Sequence, residues 1–227
     1  MRIPRVLVVA AHPDDEVLGC GGTIARRCAE GAEVRILLLG EGPFSRRGPR
    51  PGKKSLESVR AQARRAAAAL GAARVDFLGL PDNQFDAVPR LRIIQAIERA
   101  VERFRPETIL THSTADLNID HRIAAEAVRT AFRPLPGATV REILAFEVPS
   151  STEWRFEPAR AFSPSVFISI QSHLETKLAA LRAYAGELRP FPHPRSRELV
   201  EALAAVRGSQ AGFSSAEAFE LVRSIVP

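Results

Sequence analysis

The feature that most constrains this chain is the uninterrupted apolar run at residues 5–11, RVLVVAA. A strand with one wet face alternates polar and apolar side chains. A run with no polar residue after its first position is buried on both faces, as in a parallel sheet covered by helices. The same rhythm continues. Strands are expected over 34–39, 75–80, 108–112 and 142–147. Helices are expected over 16–30, 55–70, 90–104 and 120–132, the first two closed by Gly31 and Gly71 and the third stopping ahead of Pro106. Strand alternating with helix is the pattern of an α/β, doubly wound, mostly parallel sheet with helices on both faces and right-handed crossovers. The last third reads differently, with a strand at 166–170 and helices at 171–185, 197–206 and 215–226. No repeat and no dividing linker is present, so residues 1–227 read as a single domain. The Pro-rich stretch 189–194 is a rigid loop between helices.

Composition narrows the function classes. The 227 residues are 45% hydrophobic and 26% charged, enough for a sizeable core. No run reaches the roughly 18 apolar residues of a membrane span. The first residues lead straight into the first strand and do not read as a signal peptide, so the expected location is the cytoplasm. Cys20 and Cys28 lie about two helical turns apart, ~12 Å, too far to bridge. The formal charge of +6 comes from scattered arginines. The densest basic segment, 46–54, is a Pro- and Gly-rich loop, read either as solvated or as a lid attracting an anionic substrate. No recognition motif or aromatic interleaving supports nucleic acid as a partner.

Chemistry concentrates where the first strand ends. His12-Pro13-Asp14-Asp15-Glu16 places one imidazole and three carboxylates within five residues. Capping of the following helix explains one carboxylate. Crowded carboxylates repel and desolvate one another, and a divalent cation relieves both problems. A short turn stiffened by Pro13 can aim His12 and Asp15 at one ion, with Asp14 beside it as a base. Gly19, Gly21 and Gly22 follow in a helix, where each costs about 1 kcal/mol against alanine. Close backbone packing or a close ligand would justify them. The P-loop lysine and the G-x-G-x-x-G pattern are absent.

A second polar segment leaves the fourth strand, from Thr111-His112 through Asp116, Asn118 and Asp120 to His121. Strands one and four can be neighbours where strand order reverses, which brings the two segments to one crevice. His121 is the natural third ligand. Two histidines and an aspartate with an open position make a catalytic zinc site. Asp120 either orients a ligand or caps the helix. His112 is read as supporting a ligand from behind, the alternative being a strand-end histidine bonded to backbone.

These residues resemble a known family. Ala11-His12-Pro13-Asp14-Asp15-Glu16, joined with Asp116, Asn118 and Asp120-His121-Arg122, is similar to the PIG-L/LmbE-like zinc-dependent deacetylases. That group acts on N-acetylglucosaminyl-phosphatidylinositol and on the N-acetylglucosaminyl precursors of mycothiol and bacillithiol. Gly79-Leu80-Pro81-Asp82-Asn83, Arg207-Gly208 and Ala216-Glu217-Ala218-Phe219 fit the same pattern. The resemblance implies a Rossmann-like core over about 1–150, the mainly helical part following at about 165–227. It implies Zn2+ on His12, Asp15 and His121, with Asp14 as general base. One position departs: several members carry a histidine three residues before the last ligand, thought to steady the oxyanion, and here it is Asn118. An amide donates a hydrogen bond but carries no charge, and losing one such donor costs about 3 kcal/mol of barrier. Either Asn118 fills that role, or His193 or another residue does, or the substrate differs.

The expected reaction is removal of an N-acetyl group from an amino-sugar conjugate by metal-activated water, Asp14 acting as base and then acid. Arg60 and His193 are candidates for binding substrate. The polar cluster of Glu147, Ser150, Ser151, Glu153 and Trp154 offers a sugar-ring floor in Trp154. The rival readings are a metal-dependent phosphoesterase and a non-catalytic nucleotide-binding α/β module. Two histidines favour zinc over the magnesium of the first, and the second leaves the carboxylates without purpose. The sequence leaves self-association into a homo-oligomer open.

Overall fold

The computed structural model describes residues 3–42, 53–157, 161–184 and 186–226. The element order is β1 (Arg5–Ala10), α1 (Asp15–Ala29), β2 (Glu33–Gly40), α2 (Lys53–Leu70), β3 (Arg74–Leu80), α3 (Arg90–Val101), β4 (Thr108–His112), α4 (Ile119–Ala131), β5 (Glu142–Phe146), β6 (Val166–Ser169), α5 (Leu174–Leu181), α6 (Arg197–Ser209) and β7 (Ala216–Ser224). Single turns of 3-10 helix occupy Phe85–Ala87 and Arg182–Tyr184. Among the described residues seven strands form one sheet in the order β3-β2-β1-β4-β5-β7-β6. β1 to β5 run parallel, and β7 is antiparallel to both its neighbours.

The apolar run of β1 serves two cores at once. Val6, Val8 and Ala10 face a layer with Ile24 of α1, Ala66 of α2 and Leu178 of α5. Leu7 and Val9 face the opposite layer with Ile93 and Ile97 of α3 and Ala124 and Val128 of α4. Successive strand side chains point to opposite faces, so a central strand covered on both sides requires apolar residues throughout. β1 pairs with β2 on one side and β4 on the other, Val8 lying opposite Ile36 and Leu110. The order therefore reverses between β1 and β4, and the crevice beyond their carboxyl ends is where α/β sheets place ligands.

One expected element is overturned. Residues 215–226 read as a helix, yet Ala216–Ser224 is strand β7, inserted between β5 and β6. Its Ala, Glu and Leu content favours a helix, but the open edge of β5 offers unpaired N–H and C=O groups that a strand satisfies. Phe219 is fully buried there. The C-terminal third is thus two strands and two helices, not mainly helix. Most of the basic segment 46–54 lies outside the described residues, Lys53 and Lys54 forming the first turn of α2.

The glycines of α1 answer to packing. α1 breaks at Cys20, whose φ of −146° and ψ of 23° are not helical. A Cβ on Gly19 would meet Phe146 at 2.3 Å, and one on Gly22 would meet Ile170 at 2.7 Å. Cys20 is buried and Cys28 half-buried, both as free thiols.

A candidate metal centre at the strand switch

The segments leaving β1 and β4 meet. Donor atoms of His12, Asp15 and His121 all lie within 4.8 Å of one another. Asp15 Oδ2 is 3.4 Å from His12 Nδ1 and 3.2 Å from His121 Nε2. The three residues are almost wholly buried, at 9%, 0% and 1% exposure. The turn holding them is tight: the His12 N–H donates to Asp15 Oδ2 at 2.9 Å, and the Asp14 N–H donates to Glu16 Oε2 at 3.0 Å. Asp14 itself has φ of 108°. A non-glycine residue in that region costs on the order of 1–3 kcal/mol, held by its surroundings and common at functional sites.

Each imidazole is oriented from behind. His12 Nε2 is 3.0 Å from Asp120 Oδ2 and 3.1 Å from Asp82 Oδ1. A proton on Nε2 leaves the Nδ1 lone pair for an ion. Asp120 Oδ1 accepts the Phe85 N–H at 2.9 Å, which fixes the carboxylate. His121 Nδ1 is 3.1 Å from Asp116 Oδ2. Asp116 is anchored in turn by Ser151 Oγ and, at 2.8 Å, by Thr152 Oγ1.

Charge follows this geometry. Burial opposes protonation of His12, but the bonds to Asp120 and Asp15 and the charges of Asp15 and Asp82 outweigh it and raise its pKa to about 10. His121 is raised to about 9, the charges of Asp15 and Asp116 overcoming burial. Asp15 is held well below the usual carboxylate range, because His121 and His12 outweigh its burial. The protein thus attracts positive charge to this point. Asp15 Oδ1 is buried and has no hydrogen-bond partner among the described residues. Two imidazole nitrogens and one carboxylate, whose second oxygen is the orphaned one, suit a small divalent ion with nitrogen affinity.

The centre opens on a cavity of about 320 Å³, whose wall includes His12, Asp14, Asp82, Asn118, Trp154 and Arg195. Asp14 is raised to about 7, by burial first, against the lowering charge of Arg195, with Asp15 and Glu187 raising it further. Arg195 Nη1 lies 2.7 Å from Asp14 Oδ2 and 3.4 Å from Glu187 Oε2, and its Nε donates to Ser150 Oγ at 2.7 Å. Trp154 is 38% exposed and meets His193 edge-on, the ring centres 6.1 Å apart.

Most of the residues singled out from the sequence meet here. His12, Asp15 and His121 form the cluster, and Asp14, Asn118 and His193 line the cavity. Asn118 caps α4, its Oδ1 accepting the Asp120 N–H at 2.8 Å, while its Nδ2 donates to Asn83 Oδ1 at 3.1 Å. Asp120 orients His12 and leaves the cap to Asn118. His112 bonds to backbone: its Nε2 accepts the Ala11 N–H at 2.8 Å, while its ring stacks on His121 at 4.1 Å. Arg60 is not brought to the cavity. It lies 3.9 Å from Glu41 and over the Phe77 ring, because its helical face turns toward β3. Sequence reasoning passed over Arg195, Glu187 and Arg189 in the loop after α5, where no local motif marks them. It also left Asp82 without a role, although its place just beyond the end of β3 was a usable signal.

Comparison with known proteins assigns the chain to a family. The family model described as PIG-L, GlcNAc-PI de-N-acetylase, matches residues 7–132, a stretch that includes His12, Asp15 and His121. A 1D-myo-inositol 2-acetamido-2-deoxy-alpha-D-glucopyranoside deacetylase of Saccharopolyspora erythraea is 30% identical over 244 residues, covering 82% of this chain and 78% of its own. The diacetylchitobiose deacetylase of Thermococcus kodakarensis is 26% identical, covering 98% and 85%. Among solved structures, the 4-carboxy-2-hydroxymuconate hydratase GalB of Pseudomonas putida superposes with a TM-score of 0.80 at 25% identity, covering 99% and 98%. With the family match spanning more than half its length and a deacetylase relative matched over most of both chains, this chain belongs to the PIG-L family.

Proposed function

We propose that the chain is a zinc-dependent N-deacetylase acting on an amino-sugar conjugate, with Asp14 as general base. The observation that carries this reading is the approach of His12 and His121 to Asp15, at 3.4 and 3.2 Å, beside a cavity lined by Asp14. His12, Asp15 and His121 would hold the ion, whose chemistry when bound is to acidify water and polarise a carbonyl.

The chain's own residues supply the rest. Asp14 takes a proton from the attacking water and returns it to the departing amine, a double use suited to a carboxyl raised to about 7. Arg195 holds the Asp14 carboxylate in place and favours its ionised form. The Asn118 amide faces the cavity and donates to the developing oxyanion, the role a histidine takes in several relatives. Asp120 and Asp116 keep the two imidazoles at fixed angles. Trp154 and His193 offer ring edge and face to a sugar.

Addition of water to a double bond, the reaction named for the Pseudomonas relative, would use a similar base. Release of acetate separates the two. The deciding experiment is a mass-spectrometric screen of N-acetyl-sugar conjugates with zinc-loaded protein, reading acetate and free amine. Turnover that disappears with Asp14→Asn while zinc stays bound supports the proposal. Acetate release by Asp14→Asn at the parent rate sinks the base assignment. A protein that binds magnesium and not zinc as purified would favour phosphate esters instead.

A further inference from the structure

Arg189 also lines the cavity, and its charge stands apart from the others there. The Arg195 guanidinium is neutralised by Asp14 and Glu187. His12 is flanked by Asp82 and Asp120. Among the described residues Arg189 uses only Nη1, which donates to the backbone oxygens of Gly186 at 2.8 Å and Leu188 at 3.1 Å. No carboxylate pairs with it among the described residues, and these include every Asp and Glu of the chain. The two carbonyls hold the half-buried guanidinium in place and leave Nε and Nη2 as donors. Pro190, Pro192 and Pro194 restrict the loop that carries it. A planar fork held in a cavity without a counter-charge is complementary to a carboxylate or a phosphate, which it can bind through two parallel hydrogen bonds. Trp154 and His193 line the same cavity, so a ring lying there would present its substituents to Arg189.

We propose that Arg189 forms an anion subsite of this cavity, and that the substrate bears a carboxylate or phosphate on the group attached to its amino sugar. The inference rests on the cavity being the substrate site, and it names a class of substrate within that reading.

The test uses three N-acetylglucosaminides that differ only at the anomeric oxygen, which carries methyl, carboxymethyl or phosphate. Zinc-loaded protein should favour a charged form by about 10- to 100-fold in kcat/KM, the range of a charge-assisted hydrogen bond. The carboxymethyl and phosphate arms show which anion fits. Arg189→Gln should bring the charged-to-neutral ratio close to one, and Arg189→Lys should restore part of it by keeping the charge without the fork. A ratio near one in the parent protein, or a ratio that Arg189→Gln leaves unchanged, overturns the subsite. Calorimetric titration with the three corresponding free amines gives a readout independent of turnover. Tighter binding of a charged amine that Arg189→Gln abolishes supports the subsite even if no acetate is released, which would sink the deacetylase reading alone. Equal affinity for all three amines overturns the subsite whatever the activity.

Discussion

Arg195 Nη1 lies 2.7 Å from Asp14 Oδ2, joining residues 181 positions apart in the chain. The contact ties the loop before α6 to the turn after β1. It also sets the state of the proposed base. Burial pushes the Asp14 carboxyl upward, and Arg195 pulls it back toward ionisation. A base works only when deprotonated, so removing the guanidinium should move the acid limb of the kcat/KM profile to higher pH. Arg195→Gln is expected to show that displacement together with a fall of about 10- to 100-fold in kcat/KM at neutral pH. A profile with the same acid limb in Arg195→Gln and parent would mean that Arg195 holds the loop and does not tune Asp14.

How much of this was legible follows from the range of each interaction. The run at β1 and the clusters around His12 and His121 are local patterns, and each marks its own strand end. Neighbouring strands then bring the two clusters together, as the reversal of order between β1 and β4 requires. Strand β7 was not legible, because its composition favours helix and only the edge of β5 makes it a strand. Arg195 was hidden for a related reason. Its partner Asp14 is far away in sequence, and nothing in Pro194-Arg195-Ser196 distinguishes it from a surface arginine. Arg60 misled in the opposite direction, since position along a helix does not fix which neighbour the side chain meets.

Asn118 carries two duties that substitution can separate. Its Oδ1 caps α4 and its Nδ2 is a donor. Asn118→Ala removes both, and should lower stability by about 1 kcal/mol along with activity. Asn118→Asp keeps an acceptor for the Asp120 N–H and removes the donor. Its thermal midpoint should stay near that of the parent while kcat falls by about 100-fold. Parent-like kcat in Asn118→Asp would reduce Asn118 to a helix cap and return the oxyanion role to another residue.

The break in α1 is splinted by a buried ion pair. Glu217 Oε1 and Oε2 accept the Gly22 and Thr23 N–H groups at 2.9 and 2.7 Å, the free donors of the helix half beyond Cys20. Lys177 Nζ bonds Glu217 at 2.6 Å and the Leu18 carbonyl at 2.8 Å. Both halves of α1 are thus satisfied across the kink, and the first half carries Asp15. Lys177→Met strands a buried carboxylate and should cost about 3–5 kcal/mol in urea denaturation. A double replacement, Lys177→Met with Glu217→Leu, should cost less than the two single changes added, because neither leaves a lone charge. Zinc affinity should weaken in Lys177→Met, measured by competition with a chromophoric chelator. Unchanged affinity in a folded Lys177→Met protein would show that the splint serves stability alone.

Metal removal should leave its mark in the pH dependence of stability. Without an ion, His12 and His121 titrate near 10 and 9 against an ordinary 6.5. A histidine raised on folding stabilises the native state fully below its unfolded value, and that contribution is lost as pH rises through the folded value. Asp14 and Glu16 act in the same sense at lower pH. They are raised to about 7 and about 8 from 3.8 and 4.5, so the native state holds protons that the unfolded chain has released. Asp15 and Asp116 are lowered, and their stabilisation is already complete above the ordinary carboxylate range. All these groups together predict that chelator-treated protein loses stability steadily from about pH 6.5 to 10. Zinc should remove the histidine part of this loss over the same window, because metal-bound imidazoles carry no extra proton, like those of the unfolded chain above pH 6.5. Differential scanning calorimetry with and without chelator reads both slopes. A metal-free thermal midpoint that climbs between pH 6.5 and 10 would contradict the charge arrangement around Asp15 on which the proposed centre depends.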